Sequence, residues 1–249
     1  MAERVPDTTA PETTLDMLFD GRLRVLQPRR GYRFSIDAVL LAHQVRLPSE
    51  ATVLDLGTGC GIVPLILCHR YPWISVWAVE IQAPLAELAA RNARQNRMQR
   101  QISVRHADLR DLRKVDLPGM FDVVVANPPY RRPDSGRLNP GGQRAVARHE
   151  LEAGLEDFLL CARQRLGDGG RFVVIYAAER LAEMMSAMQS SGIEPKCLRM
   201  VHTRRHFDAK RVLVEGVKGA KSGIRVAPPL VIHEYGDQYS DDVQAMFHP

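Results

Sequence analysis

The segment Thr52-Val53-Leu54-Asp55-Leu56-Gly57-Thr58-Gly59-Cys60-Gly61 decides how this chain is read. A short apolar, β-like run ends in an acid and then in glycines at alternate positions. Glycines directly after a buried strand let the backbone turn sharply and come close to a ligand. Downstream, GIVPLILCHRY (61–71) is helix-like, ISVWAVE (74–80) is β-rich, and APLAELAARNARQNR (83–97) carries a strong helical pattern. ISVRHAD (102–108) and FDVVVANPPY (121–130) repeat the strand theme, the second stopped by prolines. ELEAGLEDFLLCARQRL (150–166), GGRFVVIYA (169–177) and ERLAEMMSAMQSSG (179–192) then read as helix, strand and helix. Short apolar strands alternating with helices predict a doubly wound α/β fold with a mostly parallel sheet covered on both faces. LRMVHT (198–203), RVLVEGV (211–217) and GIRVAPPLVIH (223–233) follow without intervening helices and predict an antiparallel C-terminal strand pair.

Upstream of that pattern, residues 1–14 hold prolines and threonines with few apolar side chains and are expected to be disordered. Residues 15–34 suggest a hairpin around Gly21 and Gly31, and Ser35 is placed to cap a helix through IDAVLLAHQV with Asp37 in its first turn. Residues 15–50 are thus a small N-terminal extension of a single domain spanning 15–235, and 236–249 are expected as a C-terminal tail.

The composition of the 249 residues is that of an ordinary globular protein, with a formal net charge of +5. Only five of the 34 basic residues are lysines, and an excess of arginine suits phosphate contacts because the guanidinium fork binds two oxygens at once. The first fifteen residues have no apolar core of a signal peptide, and no stretch approaches the roughly 18 apolar residues of a membrane helix. A cytoplasmic protein with no membrane association is expected. Four scattered cysteines without a CxxC pair, and histidines without ligand spacing, give no metal site and no disulfide framework.

The glycine spacing is GxGxG, with Asp55 two residues before Gly57. Nicotinamide dinucleotides need loop amides and a helix N-terminus for a pyrophosphate. S-adenosylmethionine has no phosphate, so a carboxylate beside the loop is no handicap. Glu80, at the end of the second strand, is placed to receive ribose hydroxyls, and Asp108, after the third, to take an adenine amino group; both positions also suit helix N-caps. Asp55, Gly57, Thr58, Gly59, Gly61, Glu80, Ile81, Asp108, Leu109 and Asn127 form the predicted cofactor set, all near strand ends.

The fourth strand runs into Asn127-Pro128-Pro129-Tyr130. The lone pair of a planar amino group is delocalised into its ring, and an acceptor pair holding both N–H bonds orients the nitrogen. The Asn127 side-chain oxygen and the Pro128 carbonyl are suited to that, with Pro129 stiffening the loop and Tyr130 offering a face for stacking. No Pro-Cys pair is present, which disfavours a thiolate nucleophile of the kind cytosine-carbon methylation needs.

With both motifs placed, the chain resembles the class I (Rossmann-like) S-adenosylmethionine-dependent methyltransferases that modify amino nitrogens. Within them it looks most like the bacterial valine-tRNA (adenine-N6)-methyltransferases. The stretch Gln27 to Ala42, Asn139-Pro140 and Ala147-Arg148-His149-Glu150 carry that closer resemblance. It implies a seven-stranded sheet, S-adenosylmethionine as cofactor, an RNA partner, tRNA, with phosphate contacts beside the pocket, and methyl transfer to adenine N6 near the anticodon. Asn127, Pro128, Pro129 and Tyr130 would hold the target amine, and Arg131, Arg132, Arg144 and Arg148 the RNA. A second basic group, Arg204, Arg205, His206, Lys210 and Arg211, is a further RNA candidate, and Arg33, Phe34 and Asp37 could close over cofactor or base. Two alternatives stay open: a release-factor glutamine N-methyltransferase, and a non-catalytic RNA-binding protein of the same fold. DNA adenine and the oligomeric state are also left undecided.

Overall fold

A computed structural model of the chain describes residues 13–130 and 153–248. Of the stretch 1–14 expected to be disordered, residues 1–12 lie outside the described residues, as does the Arg131, Arg132, Arg144 and Arg148 group, whereas Thr13 and Thr14 are ordered as the start of the first strand. A β-hairpin opens the chain, β1 (Thr13–Leu18) with β2 (Leu23–Pro28), followed by α1 (Ile36–Gln44). Ser35 caps α1 by accepting the Asp37 amide. Then come β3 (Thr52–Leu56), α2 (Ile62–Arg70), β4 (Ser75–Glu80), α3 (Ala83–Gln95), β5 (Ile102–His106), a 3₁₀ turn at Leu109–Lys114 and β6 (Phe121–Ala126). After the undescribed stretch follow α4 (Leu155–Arg165), β7 (Leu166–Ala177), α5 (Leu181–Ser190), β8 (Ile193–His202) and β9 (Ala209–Lys218). Two short strands, β10 (Arg225–Val226) and β11 (Leu230–Val231), and a closing helix, α6 (Asp241–Phe247), complete the chain.

The seven long strands of the main sheet run in the order β8-β9-β7-β6-β3-β4-β5. Pairing is parallel from β7 through β6, β3 and β4 to β5, and antiparallel where β9 lies between β7 and β8. This is the expected mostly parallel sheet with an antiparallel C-terminal pair. GIRVAPPLVIH does not form the single strand that was expected. It splits into β10 and β11, both on β8, because Pro228 and Pro229 have no N–H to continue a ladder.

Side-chain alternation explains why both faces are covered. Val53, Val123, Val125, Val173 and Ile175 point into one core, with α1, α2 and the hairpin residues Leu18, Phe19, Leu23 and Val25. Leu54, Leu56, Val124, Ala126, Phe172 and Val174 point into the other, with α4 and α5. The central strands are therefore apolar on both faces over most of their length, as strands buried on both faces are, with Asp55 in β3 as a buried exception. The stretch after 235, expected as a tail, contains α6, whose Val243 is buried in the first core. All four cysteines are buried and free.

Candidate functional site

The strand order reverses at β3, whose neighbours are β4 on one side and β6 on the other. Ligands of open α/β sheets bind at the carboxyl ends of strands at such a switch point. Register places the predicted residues there together. Leu56 pairs with Ala126, so Gly57 and Asn127 leave the sheet side by side, and Val79 pairs with Leu56, so Glu80 follows next to them. A cavity of about 390 Å³ opens at this edge. Of the predicted residues, Gly57, Glu80, Ile81, Asp108, Leu109, Asn127, Pro128, Pro129 and Tyr130 line it. Val79, Leu85, Ala107 and Phe158 add apolar wall, and Tyr32, Ser35 and Asp37 come from the N-terminal extension.

The glycine turn is held tightly. The Gly57 and Thr58 amides both donate to the Val79 carbonyl, at 2.9 and 3.0 Å. Glu80 accepts the Gly59 amide through Oε2 and the Gln82 amide through Oε1, both at 2.9 Å. Each Glu80 oxygen keeps a lone pair, so these bonds do not exhaust it as an acceptor. Gly59 has φ +59, and a Cβ there would lie 2.5 Å from the Tyr32 hydroxyl. Asp55, Thr58 and Gly59 do not themselves line the cavity, and neither does Gly61. With φ +84 it caps α2, and a Cβ on it would meet Ala89 of α3 at 3.1 Å, so its observed part is packing.

Asp55 is buried, and no hydrogen bond reaches its Oδ2 among the described residues. Burial pushes its carboxyl up to about 7, and the neighbouring Glu80 charge adds to the rise. The Tyr32 phenol is held above its ordinary range first by burial and then by the charges of Cys60, Asp55 and Glu80. Two carboxylates thus bear on the space against Gly59 that Tyr32 fills. A ligand carrying a cationic amino group and ribose hydroxyls suits that acceptor-rich corner, and S-adenosylmethionine carries the first on its amino-acid part and the second on its nucleoside part.

Asp108 borders the cavity but is engaged locally. It caps the 3₁₀ turn by accepting the Arg110 amide at 2.9 Å, and pairs with the Arg110 guanidinium. Those bonds from Arg110 hold its carboxyl below the usual range. The N-cap that its position also suited is the contact the structure contains.

Tyr130 is gripped from three sides. Its hydroxyl lies 2.7 Å from Asn127 Oδ1 and 2.9 Å from Asp37 Oδ2. Arg211 donates to the same Asp37 oxygen at 2.9 Å, and its guanidinium lies 4.2 Å from the Tyr130 ring centroid. Arg180 donates to the Tyr130 carbonyl at 3.0 Å. A cation thus covers one face of the ring, which also meets the Tyr176 ring edge to face at 5.9 Å between centroids. Of the N-terminal trio, Asp37 reaches the site. Arg33 instead bonds Thr14 and the Pro28 carbonyl and pairs with Asp16, and Phe34 packs on the first core.

In the second basic group, Arg204 pairs with Asp237, Arg205 with Glu234 and Arg211 with Asp37. His206 and Lys210 are exposed. Among the described residues no group of three His, Cys, Asp or Glu side chains could hold a metal, and no helix is long and apolar enough to cross a membrane. Sequence reasoning missed Tyr32, Ser35, Gln82 and Phe158 as site residues. Their proximity is tertiary, and only Gly31-Tyr32 in the approach to α1 carried a local cue.

Residues 33–191 match the family model described as the methyltransferase small domain. Over 94% of both chains the sequence is 31% identical to a tRNA1(Val) (adenine(37)-N6)-methyltransferase of Porphyromonas gingivalis. A second protein of that description, from Vibrio parahaemolyticus, is 30% identical over 88% of both chains. Among solved structures, one described as a predicted O-methyltransferase of Agrobacterium tumefaciens superposes with a TM-score of 0.69 at 26% identity, covering 84% of this chain and 94% of the other.

Proposed function

The chain belongs to the methyltransferase small domain family, and from that premise we propose that it transfers a methyl group from S-adenosylmethionine to the exocyclic N6 of an adenine in tRNA. The observation that carries the reading is one juxtaposition: Asn127-Pro128-Pro129-Tyr130 leaves β6 beside the Gly57 turn of β3, in one cavity. Near-full-length similarity to proteins described as valine-tRNA adenine-37 N6-methyltransferases supports the same substrate, an adenine of the anticodon loop. A cytoplasmic location goes with that substrate.

When bound, S-adenosylmethionine supplies an electrophilic methyl group on a sulfonium. Asp55 and the backbone around Gly57 to Gly59 would hold its amino-acid end, Glu80 its ribose hydroxyls, and Ile81, Asp108 and Leu109 its adenine. Asn127 Oδ1 and the Pro128 carbonyl accept the two N–H bonds of the target nitrogen and aim its lone pair at the methyl carbon. The Tyr130 ring, which borders the cavity, would stack on the base, worth about 1–3 kcal/mol in comparable sites. Positioning at roughly 3–3.5 Å is the main catalytic demand, since the amine is already the nucleophile. Reaching a base in folded RNA requires it to be flipped out, and Arg131, Arg132, Arg144 and Arg148, next in sequence to Tyr130, are proposed to hold the phosphates around it.

The test is nucleoside mass spectrometry of tRNA after incubation with the protein and cofactor. N6-methyladenosine is expected with wild type, at a rate lowered by on the order of a hundredfold in Asn127→Ala, with cofactor affinity little changed. Label on a release-factor glutamine and none on tRNA would overturn the substrate.

A further inference from the structure

We propose that Asp37 is a positioning residue that decides which end of the Asn127 amide faces the target nitrogen. The inference rests on the amine-transfer reading above.

Asp37 stands in the first turn of α1, 93 residues from Tyr130 and 174 from Arg211. It is buried, and its Oδ2 receives both the Tyr130 hydroxyl and Arg211 Nε at 2.9 Å. The Tyr130 hydroxyl has one proton but lies within hydrogen-bond distance of two oxygens, Asp37 Oδ2 and Asn127 Oδ1 at 2.7 Å. A carboxylate is the stronger acceptor, because charge-assisted bonds exceed those to a neutral amide. Tyr130 therefore donates to Asp37, and the phenol oxygen turns a lone pair towards Asn127.

An amide oxygen at 2.7 Å from that lone pair would bring two acceptors together. The amide ends are nearly alike in shape, so a half-turn exchanges them without disturbing the packing. Nδ2 then donates to Tyr130, and Oδ1 is the end left for the cavity that Asn127 lines. That is the polarity the chemistry needs. The opposite one would present an N–H to the N–H of the target amine. Arg211 fixes the whole series by pairing with Asp37 and lying over the Tyr130 ring. Donors run in one direction, Asn127 to Tyr130 to Asp37, and the acceptor emerges where the substrate nitrogen arrives.

The chain has four asparagines, Asn92, Asn96, Asn127 and Asn139, so selective ¹⁵N-asparagine labelling of the full protein gives four side-chain amide pairs. Asn127→Ala identifies the pair concerned. In wild type, one Asn127 amide proton is expected to be shifted downfield and slow to exchange. Tyr130→Phe, which keeps the ring, removes that signature, and Asp37→Ala weakens it. An Asn127 pair that does not respond to Tyr130→Phe overturns the proposal, whether or not Asp37→Ala folds. In single-turnover transfer to tRNA, each substitution is expected to slow the step by about tenfold or more, with cofactor affinity unchanged. The double variant should match Tyr130→Phe within about twofold, because both act through one hydroxyl. Losses that multiply overturn the relay. A wild type that shows the amide signature but leaves tRNA unmethylated overturns the substrate reading and not the relay.

Discussion

The Gly59 amide donates to Glu80 Oε2 at 2.9 Å, so the turn that ends β3 is held by the carboxylate that ends β4. The other Glu80 oxygen receives Gln82 at the head of α3, and one side chain spans from glycine turn to helix. Glu80→Ala leaves the buried Gly59 N–H without its acceptor, a loss of about 1–3 kcal/mol. Thermal melting should register that, and calorimetric titration with S-adenosylhomocysteine should show affinity down at least about tenfold. Glu80→Gln keeps an acceptor and should sit between the two. Unchanged affinity in both variants would remove Glu80 from the cofactor contact.

Asn92, in the interior of α3, reaches two places at once. It accepts the Leu26 amide at 2.8 Å and donates to the Leu26 and Cys60 carbonyls at 2.8 and 2.9 Å, fully buried. It therefore fastens the β1–β2 hairpin and the glycine turn to the same helix. Asn92→Ala abandons three buried backbone groups and is expected to cost about 2–4 kcal/mol in urea unfolding. Asn92→Asp keeps the acceptor but loses both donor contacts, and should be as damaging. A loss within about 0.5 kcal/mol, the range of an ordinary surface substitution, would show that the hairpin is held instead by its apolar contacts and by Asn96, which bonds both backbone groups of Arg24.

Burial raises Asp55 to about 7 from 3.8, which sets two opposite pH trends. The folded protein favours the protonated form, so the stability this gives is complete below the unfolded pKa near 3.8 and is lost as pH rises to about 7. Asp55→Asn should therefore be the more stable protein above pH 7, melting roughly 2–4 °C higher for each kcal/mol regained. Binding of a cationic amino group favours the ionised form, so cofactor affinity should climb with pH to about 7 and then level off. Titrations between pH 5.5 and 8.5, on the order of 1.5 units either side, check this. The slope should vanish in Asp55→Asn, and a slope that persists there would assign it to another group.

The alternation of strands and helices was legible because β3, β4 and β6 are buried on both faces and read as short, mostly apolar runs. The residues at their ends were legible for the same reason: once strand ends are found, the switch point follows from topology. What was not legible is tertiary. Nothing local in Ile36-Asp37 announces an arginine 174 residues away, and an asparagine inside a helical pattern gives no hint of a distant hairpin. Asp108 shows a residue whose two readings, cap or ligand, are separated only by Arg110 turning back onto it. In the C-terminal stretch the cue was present but passed over. Ser240 followed by Asp241 and Asp242 is a helix start, and Ser240 does accept the Val243 amide.

Tyr32 lies against Gly59, and under the cofactor placement proposed above that is space the cofactor needs. On that placement the protein is its own competitor: what the cofactor would displace there is a phenol ring, not only solvent. Measured affinity is the intrinsic value reduced by the fraction of molecules whose ring has moved aside. The same reduction falls on methylated cofactor and on its demethylated product, since the contested space is at the amino-acid end common to both. Such a tax cannot discriminate between them. It lowers both apparent affinities by the same factor, so the balance between cofactor and spent product is unchanged and the cost is met in the concentration of cofactor the protein needs.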